Sequence, residues 1–130
     1  MKTIAAGKRK RAVARATLEK GTGKVRINGI PVENYSPKIS RLKMMEPMML
    51  VSDLAKKVNI DVKVFGGGVT SQADAVRVAI SRALVEHDNS IEENLLEYDR
   101  RLLVGDVRRK EASKPNRQGK ARAKRQKSYR

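Results

Sequence analysis

After Val107 the chain contains no Val, Ile, Leu, Met or Phe as far as Arg130. From Val107 on it carries eleven Lys/Arg and one acid, a net of +10. A stretch with so little to bury cannot offset the entropy of ordering itself. Residues 105–130 are therefore expected to form a basic tail that is disordered when free and takes shape against a polyanion. A solvating appendage is the plainer reading of such a charge block. Residues 1–104 remain for one domain with a modest core.

The charge outside the tail is just as uneven. Residues 1–15 hold six Lys/Arg and no acid, whereas residues 16–99 hold eleven Lys/Arg and twelve acids. A near-neutral body thus carries a basic arm at each end, and the whole chain has a formal charge of +16. This is the footprint of a protein for a polyanion, of which nucleic acid is the common one. The absence of Cys rules out disulfides, a thiolate nucleophile and Cys-ligated zinc. No apolar run approaches the ~18 residues of a membrane span, and no secretory signal core follows the N-terminal cations. The tail lacks the bulky apolar anchors of a membrane-surface helix.

Along the body, Thr3 to Ala6 reads as a short strand leading into a basic loop, Gly7-Lys8-Arg9-Lys10-Arg11. Ala12 to Lys20 and Lys24 to Gly29 flank Gly21-Thr22-Gly23, which predicts a hairpin between them. On the first of these strands Ala12, Ala14, Ala16 and Leu18 share a face whose small side chains suit a closely packed helix. Asn28-Gly29 is a turn signal, with an extended piece expected at Ile30 to Val32. Ser36-Pro37 reads as a helix start with Ile39, Leu42 and Met45 inward, broken or restarted at Pro47. Met48, Leu50, Val51 and Leu54 supply a second apolar face. Val58 to Phe65 alternates as a half-buried strand. Ser71 to Glu86 carries Ala73, Val76, Ala79, Ile80, Ala83 and Leu84 at helical spacing, with Ser71 and Asp74 as a capping box. Ser90 and Glu93 form a second capping box, for a helix reaching towards Leu102.

The four consecutive cations Lys8 to Arg11 suit phosphates, which Arg can grip as an oxygen pair. They also suit a solvated edge that resists strand pairing. Gly66-Gly67-Gly68 before a helix is either a tight turn or a phosphate contact through bare amides. No nucleotide-binding glycine pattern accompanies it. His87, the one histidine, suits a helix C-terminus, and Met44, Met45, Met48 and Met49 suit core filling. No nucleophile with its base and no metal-ligand spacing is visible, so no catalytic residue, metal or cofactor is expected. Tyr35, Phe65, Tyr98 and Tyr129 are too few for an aromatic base-binding platform. Binding is expected through phosphate and shape, with Tyr129 able to stack on a base.

The motif Gly7-Lys8-Arg9-Lys10-Arg11-Ala12-Val13-Ala14-Arg15-Ala16 with Gly23-Lys24-Val25-Arg26-Ile27-Asn28-Gly29 resembles the opening of the universal S-nine family of small-subunit ribosomal proteins. Gly66 to Gly68, Gln72-Ala73-Asp74-Ala75 and Ser81-Arg82-Ala83-Leu84 are similar to that family's central helix motif. Leu102-Leu103, Asp106, Arg108-Arg109 and the basic ending resemble its tail. The resemblance spans essentially the whole chain, with the motifs in family order. Gln126-Lys127-Ser128-Tyr129-Arg130 and the short N-terminus look like the archaeal type.

The resemblance implies an α/β (α+β) two-layer sandwich. It has about four strands with helices on one face, as in the second domain of the S-five ribosomal protein. It implies a structural role in the cytoplasmic small ribosomal subunit, bound to ribosomal RNA of the head and beside other head proteins. It implies no membrane and no small-molecule substrate. Implied RNA contacts are Lys8, Arg9, Lys10, Arg11, Arg15, Gly66, Gly67 and Gly68 in the body. In the tail they are Arg108, Arg109, Lys110, Lys114, Arg117, Lys120, Arg122, Lys124 and Arg125. The tip, Lys127, Ser128, Tyr129 and Arg130, is implied to approach the anticodon stem-loop of the tRNA in the peptidyl (P) site. The 24 residues from Val107 on span at most roughly 80 Å when extended, enough for such reach. A free-standing basic RNA chaperone would share the charge pattern. A phosphoryl-transfer enzyme would instead bind nucleotide and magnesium.

Overall fold

The computed structural model describes residues 2–35, 37–105 and 108. Among these, five strands form one sheet: β1 (Thr3–Arg9), β2 (Ala12–Lys20), β3 (Val25–Ile27), β4 (Ile30–Pro31) and β5 (Val58–Phe65). Four α-helices accompany it: α1 (Lys38–Leu50), α2 (Ser52–Ala55), α3 (Val69–His87) and α4 (Glu92–Tyr98). The expected sandwich of mixed strands and helices is present, with a two-residue β4 added to the expected four strands.

The strand order is β1-β2-β5-β3-β4, which overturns the expected hairpin of β2 with β3. Instead β5 lies between them, antiparallel to β2 and parallel to β3. The reason lies in where the linker's hydrogen bonds go. Gly21 N–H donates to Lys57 O and Gly23 N–H to Val58 O, both at 3.0 Å. Asn59 Oδ1 accepts from the Thr22 and Lys24 amides, also at 3.0 Å. The glycine linker is therefore an arch fastened to β5, and Gly21 is needed because a Cβ there would lie 2.1 Å from Asn59 Cγ. At the other end of β3, Asn28 in the left-handed region bonds Val64 through its side chain in both directions, at 2.9 and 3.1 Å.

The alternation of β5 holds: Val58, Ile60, Val62 and Val64 are buried. On β2, Ala12, Ala14, Ala16 and Leu18 have no exposure, and α3 lies against them and against β1. Small side chains let a helix approach the sheet closely. Gly7 carries this to the limit, since a Cβ there would stand 2.4 Å from Ala75 O and 2.7 Å from Ala79 N of α3. The predicted inward stripe of α3 is buried as read.

Several local expectations change. The buried side of α1 is Ser40, Met44, Pro47 and Met48, while Ile39 and Leu42 face solvent. A small polar residue at 40 hid this stripe from a reading based on large apolar residues. Pro47 does not break α1, which runs through it to Leu50; its ring is fully buried, and that packing offsets a helix-interior penalty of about 3 kcal/mol. Ser36 lies outside the described residues, and Pro37 stands at the cap position. Of the methionines, Met44 and Met48 are core, and Met49 is exposed. Helix α3 begins at Val69 behind Gly68, so Ser71 and Asp74 are no capping box. Ser90 and Glu93 likewise form no capping box: Asp88 caps a short 3-10 helix, Asn89–Ile91, accepting from the Ser90 amide and hydroxyl, and α4 follows it with no side-chain cap.

Candidate nucleic-acid interface

The expected basic loop is smaller than its charge run. Gly7, Lys8 and Arg9 belong to β1, and only Lys10-Arg11 form the turn, with Lys10 at φ 54°. Strand pairing from Thr3↔Leu18 to Arg9↔Ala12 fixes this narrow end. Lys8, Lys10 and Arg11 are exposed.

The glycine triplet sits against that turn. Gly66 and Gly67 have φ of 77° and 64°, where a side chain is strained. A Cβ on Gly66 would also meet Arg11 O at 2.5 Å, and one on Gly67 would meet Ala12 N at 3.0 Å. These two glycines are thus tight-turn residues that let β5's exit pass the basic turn. Gly68 differs: among the described residues nothing lies within 4 Å of its would-be Cβ, and none of their side chains caps α3 there. The positive end of a 19-residue helix therefore opens beside the cations.

The root of the tail comes to the same end. Leu102 is fully buried. Arg82 of α3 donates from Nε to Leu103 O and from Nη1 to Ala6 O, both at 2.9 Å. Arg9 Nη1 donates to Arg108 O at 3.3 Å. The two basic arms, 99 positions apart in sequence, thus meet beside the glycine turn.

Behind them lies a chain of ion pairs. Asp74 Oδ2 is 3.9 Å from Arg9 Nε, and Asp74 Oδ1 is 3.6 Å from Lys43 Nζ. Arg77 Nη2 lies 2.6 Å from Glu46 Oε2 and 3.0 Å from Asp99 Oδ2. The contact with Glu46 is one of charge rather than an aligned hydrogen bond, and among the described residues Arg77 Nε is buried without a hydrogen-bond partner. The Arg101 amide, and then Arg77, hold the Asp99 carboxyl below the usual carboxylate range. Ser90 does the same for Asp88, with a smaller contribution from His87.

Arg15 lies elsewhere, exposed on the sheet face opposite the helices and in register with Lys63 of β5. Like charges directly opposed on neighbouring strands are destabilising without a counter-ion. Arg109, Lys110, Lys114, Arg117, Lys120, Arg122, Lys124, Arg125, Lys127, Ser128, Tyr129 and Arg130 lie outside the described residues. Sequence reading missed the work of Arg77, Arg82, Asp99 and Arg101; only a charged residue flanking the apolar stripe of α3 marked the first two. Among the described residues no group of three or more His, Asp or Glu could hold a metal ion, and no helix is long and apolar enough to cross a membrane.

Residues 7–130 match the family described as ribosomal protein S9/S16. Three curated relatives, all called small ribosomal subunit protein uS9, come from archaea. The chain is 57% identical to that of Thermoplasma acidophilum over 129 residues, covering 98% of this chain and 99% of the relative. It is 53% identical to those of Picrophilus torridus and Thermoplasma volcanium, over 98% of this chain and 96% and 97% of theirs.

Proposed function

We propose, from the premise that the chain belongs to the ribosomal protein S9/S16 family, that its cationic end grips small-subunit ribosomal RNA while the tail beyond Arg108 reaches a bound tRNA. The family makes the chain a structural, non-enzymatic component of the small subunit of the cytoplasmic ribosome. The finer reading assigns it to the RNA of the head, next to other head proteins. In this reading residues 1–104 are the anchor and residues 105–130 the arm.

One observation carries it: the Lys10-Arg11 turn, the open N-terminus of α3 at Gly68 and the root of the tail share one end of the sheet. Cations and helix amides on one surface suit a folded phosphate backbone better than scattered charge does. Lys8, Arg9, Lys10, Arg11 and Arg108 serve this surface, with Gly68 as the amide contact. Arg15 adds a contact on the open sheet face. The tail residues neutralise phosphates along its path, and Lys127 to Arg130 meet the P-site tRNA.

Two measurements test this. The full-length protein should co-sediment with archaeal small subunits at moderate salt and leave at high salt, because each neutralised phosphate releases counterions. Equal affinity for unrelated RNA and DNA would instead mark a free-standing RNA chaperone. Subunits assembled with protein lacking residues 128–130 should hold P-site tRNA more weakly while sedimenting normally. Undiminished tRNA affinity would refute the role of the tip.

A further inference from the structure

The alternation that buries Val58, Ile60, Val62 and Val64 puts Asp61, Lys63 and Phe65 on the sheet face opposite the helices, and all three are exposed. Strand register sets Arg15 of β2 opposite Lys63, and Val13 opposite Phe65. On the other side of Arg15, β1 offers Ala6, too short to cover it. Phe65 is the chain's one phenylalanine and is 58% exposed. It stands two residues along β5 from Lys63, roughly 7 Å at strand rise.

A single exposed apolar side chain is ordinary; its setting is not. Arg15 and Lys63 are directly opposed cations, with Cβ atoms about 5 Å apart in such a pair. Among the described residues neither makes an ion pair or a side-chain hydrogen bond. The five strands carry two acids, Glu19 and Asp61. Asp61 Oδ1 is 3.5 Å from Arg26 Nε, and Glu19 is four residues along β2 from Arg15, roughly 13 Å. A phosphate between the two cations would relieve their repulsion, and a flat ring beside them offers a stacking surface to a base. One ring seats one base, so no aromatic platform is needed. An acidic peptide would answer the cations and leave the ring without a stacked partner. We infer that this face seats one unpaired nucleotide of ribosomal RNA, its base stacked on Phe65 beside Val13 and its phosphate held between Arg15 and Lys63. The site rests on the rRNA-binding reading above and adds a base contact to it.

The test is binding of the full-length protein to a transcript of archaeal small-subunit ribosomal RNA over a salt series. The variants are Phe65→Leu, Phe65→Trp and the double variant Arg15→Gln with Lys63→Gln. All three positions are exposed, so the melting temperature should hold. Phe65→Leu should weaken binding about five- to a hundredfold, with the slope of log K against log salt unchanged because no charge is lost. The double variant should lower that slope by about 0.7, one single-strand phosphate's worth. Phe65→Trp should bind as the wild type does. The chain has no other tryptophan, so its emission reports this position alone and should be quenched by the RNA as a base stacks on it. Undiminished affinity in Phe65→Leu, or unquenched emission from Phe65→Trp in the bound state, would overturn the stacked base. An unchanged slope in the double variant would overturn the phosphate and give the face to a protein neighbour. Wild-type binding without salt dependence would bring down the rRNA reading itself, and the site with it.

Discussion

The sheet has two ends, and each places glycines beside β5. At the Gly21–Gly23 end the backbone amides of Gly21, Thr22, Gly23 and Lys24 are all answered, by Lys57, Val58 and Asn59. At the Gly66–Gly68 end two glycines are spent on passing the Lys10-Arg11 turn, while the third leaves the start of α3 open among cations. The first end is closed by its own hydrogen bonds; the second gathers the Lys10-Arg11 turn, the start of α3 and the Arg108 backbone in one place. A glycine-rich connection thus becomes a candidate site through what surrounds it, and the glycines alone do not say which kind it is.

Four expected outcomes would sharpen or break this contrast. Deleting residues 109–130 removes ten Lys/Arg and should lower RNA affinity on the order of a hundredfold near physiological salt. The unfolding midpoint should stay in place, and a large loss of stability would mean the tail supports the body. Next, Gly66→Ala should destabilise by about 1–3 kcal/mol in denaturant unfolding, through positive φ and the approach to Arg11 O. Gly68→Ala should stay within about 0.5 kcal/mol; equal costs would erase the distinction between the two glycines. At the closed end, Asn59→Ala leaves the Thr22 and Lys24 amides to water and should cost about 1–2 kcal/mol, with RNA binding unchanged. The smallest effect concerns acid. Asp99 has a depressed folded pKa, so its contribution to stability is present above the unfolded value, near 3.9, and fades as pH falls through the folded one. Asp99→Asn should remove that part of the acid slope, and an identical slope would show that the Arg77 and Arg101 contacts are not sustained in solution.

Much of the anchor was legible from residue order. The alternation of Val58 to Phe65, the stripe of α3 and the alanine face of β2 all emerged as read. Each is a repeat of period two or near 3.6 set by neighbouring residues. The stripe of α1 was not legible, because Ser40 and Pro47 lie inward and Ile39 and Leu42 lie outward. The hairpin of β2 with β3 failed for a related reason. Glycine spacing describes a turn's freedom, while the partner of a strand is chosen by distant groups such as Asn59. Of the candidate site, Lys8 to Arg11 and the glycine triplet were visible as types. Arg77, Arg82 and Asp99 were not, since a charged residue beside an apolar stripe usually faces water.

Sequence alone determined where the charge lies, which segments alternate and which cannot build a core. Those properties are sums and periods along the chain, and folding does not alter them. Only the tertiary structure decided that β5 enters between β2 and β3, and that Arg9 and Arg108 meet across 99 positions. Both follow from long-range pairing, whose energy depends on which distant partners satisfy one another's hydrogen bonds and charges, and no local pattern carries that information.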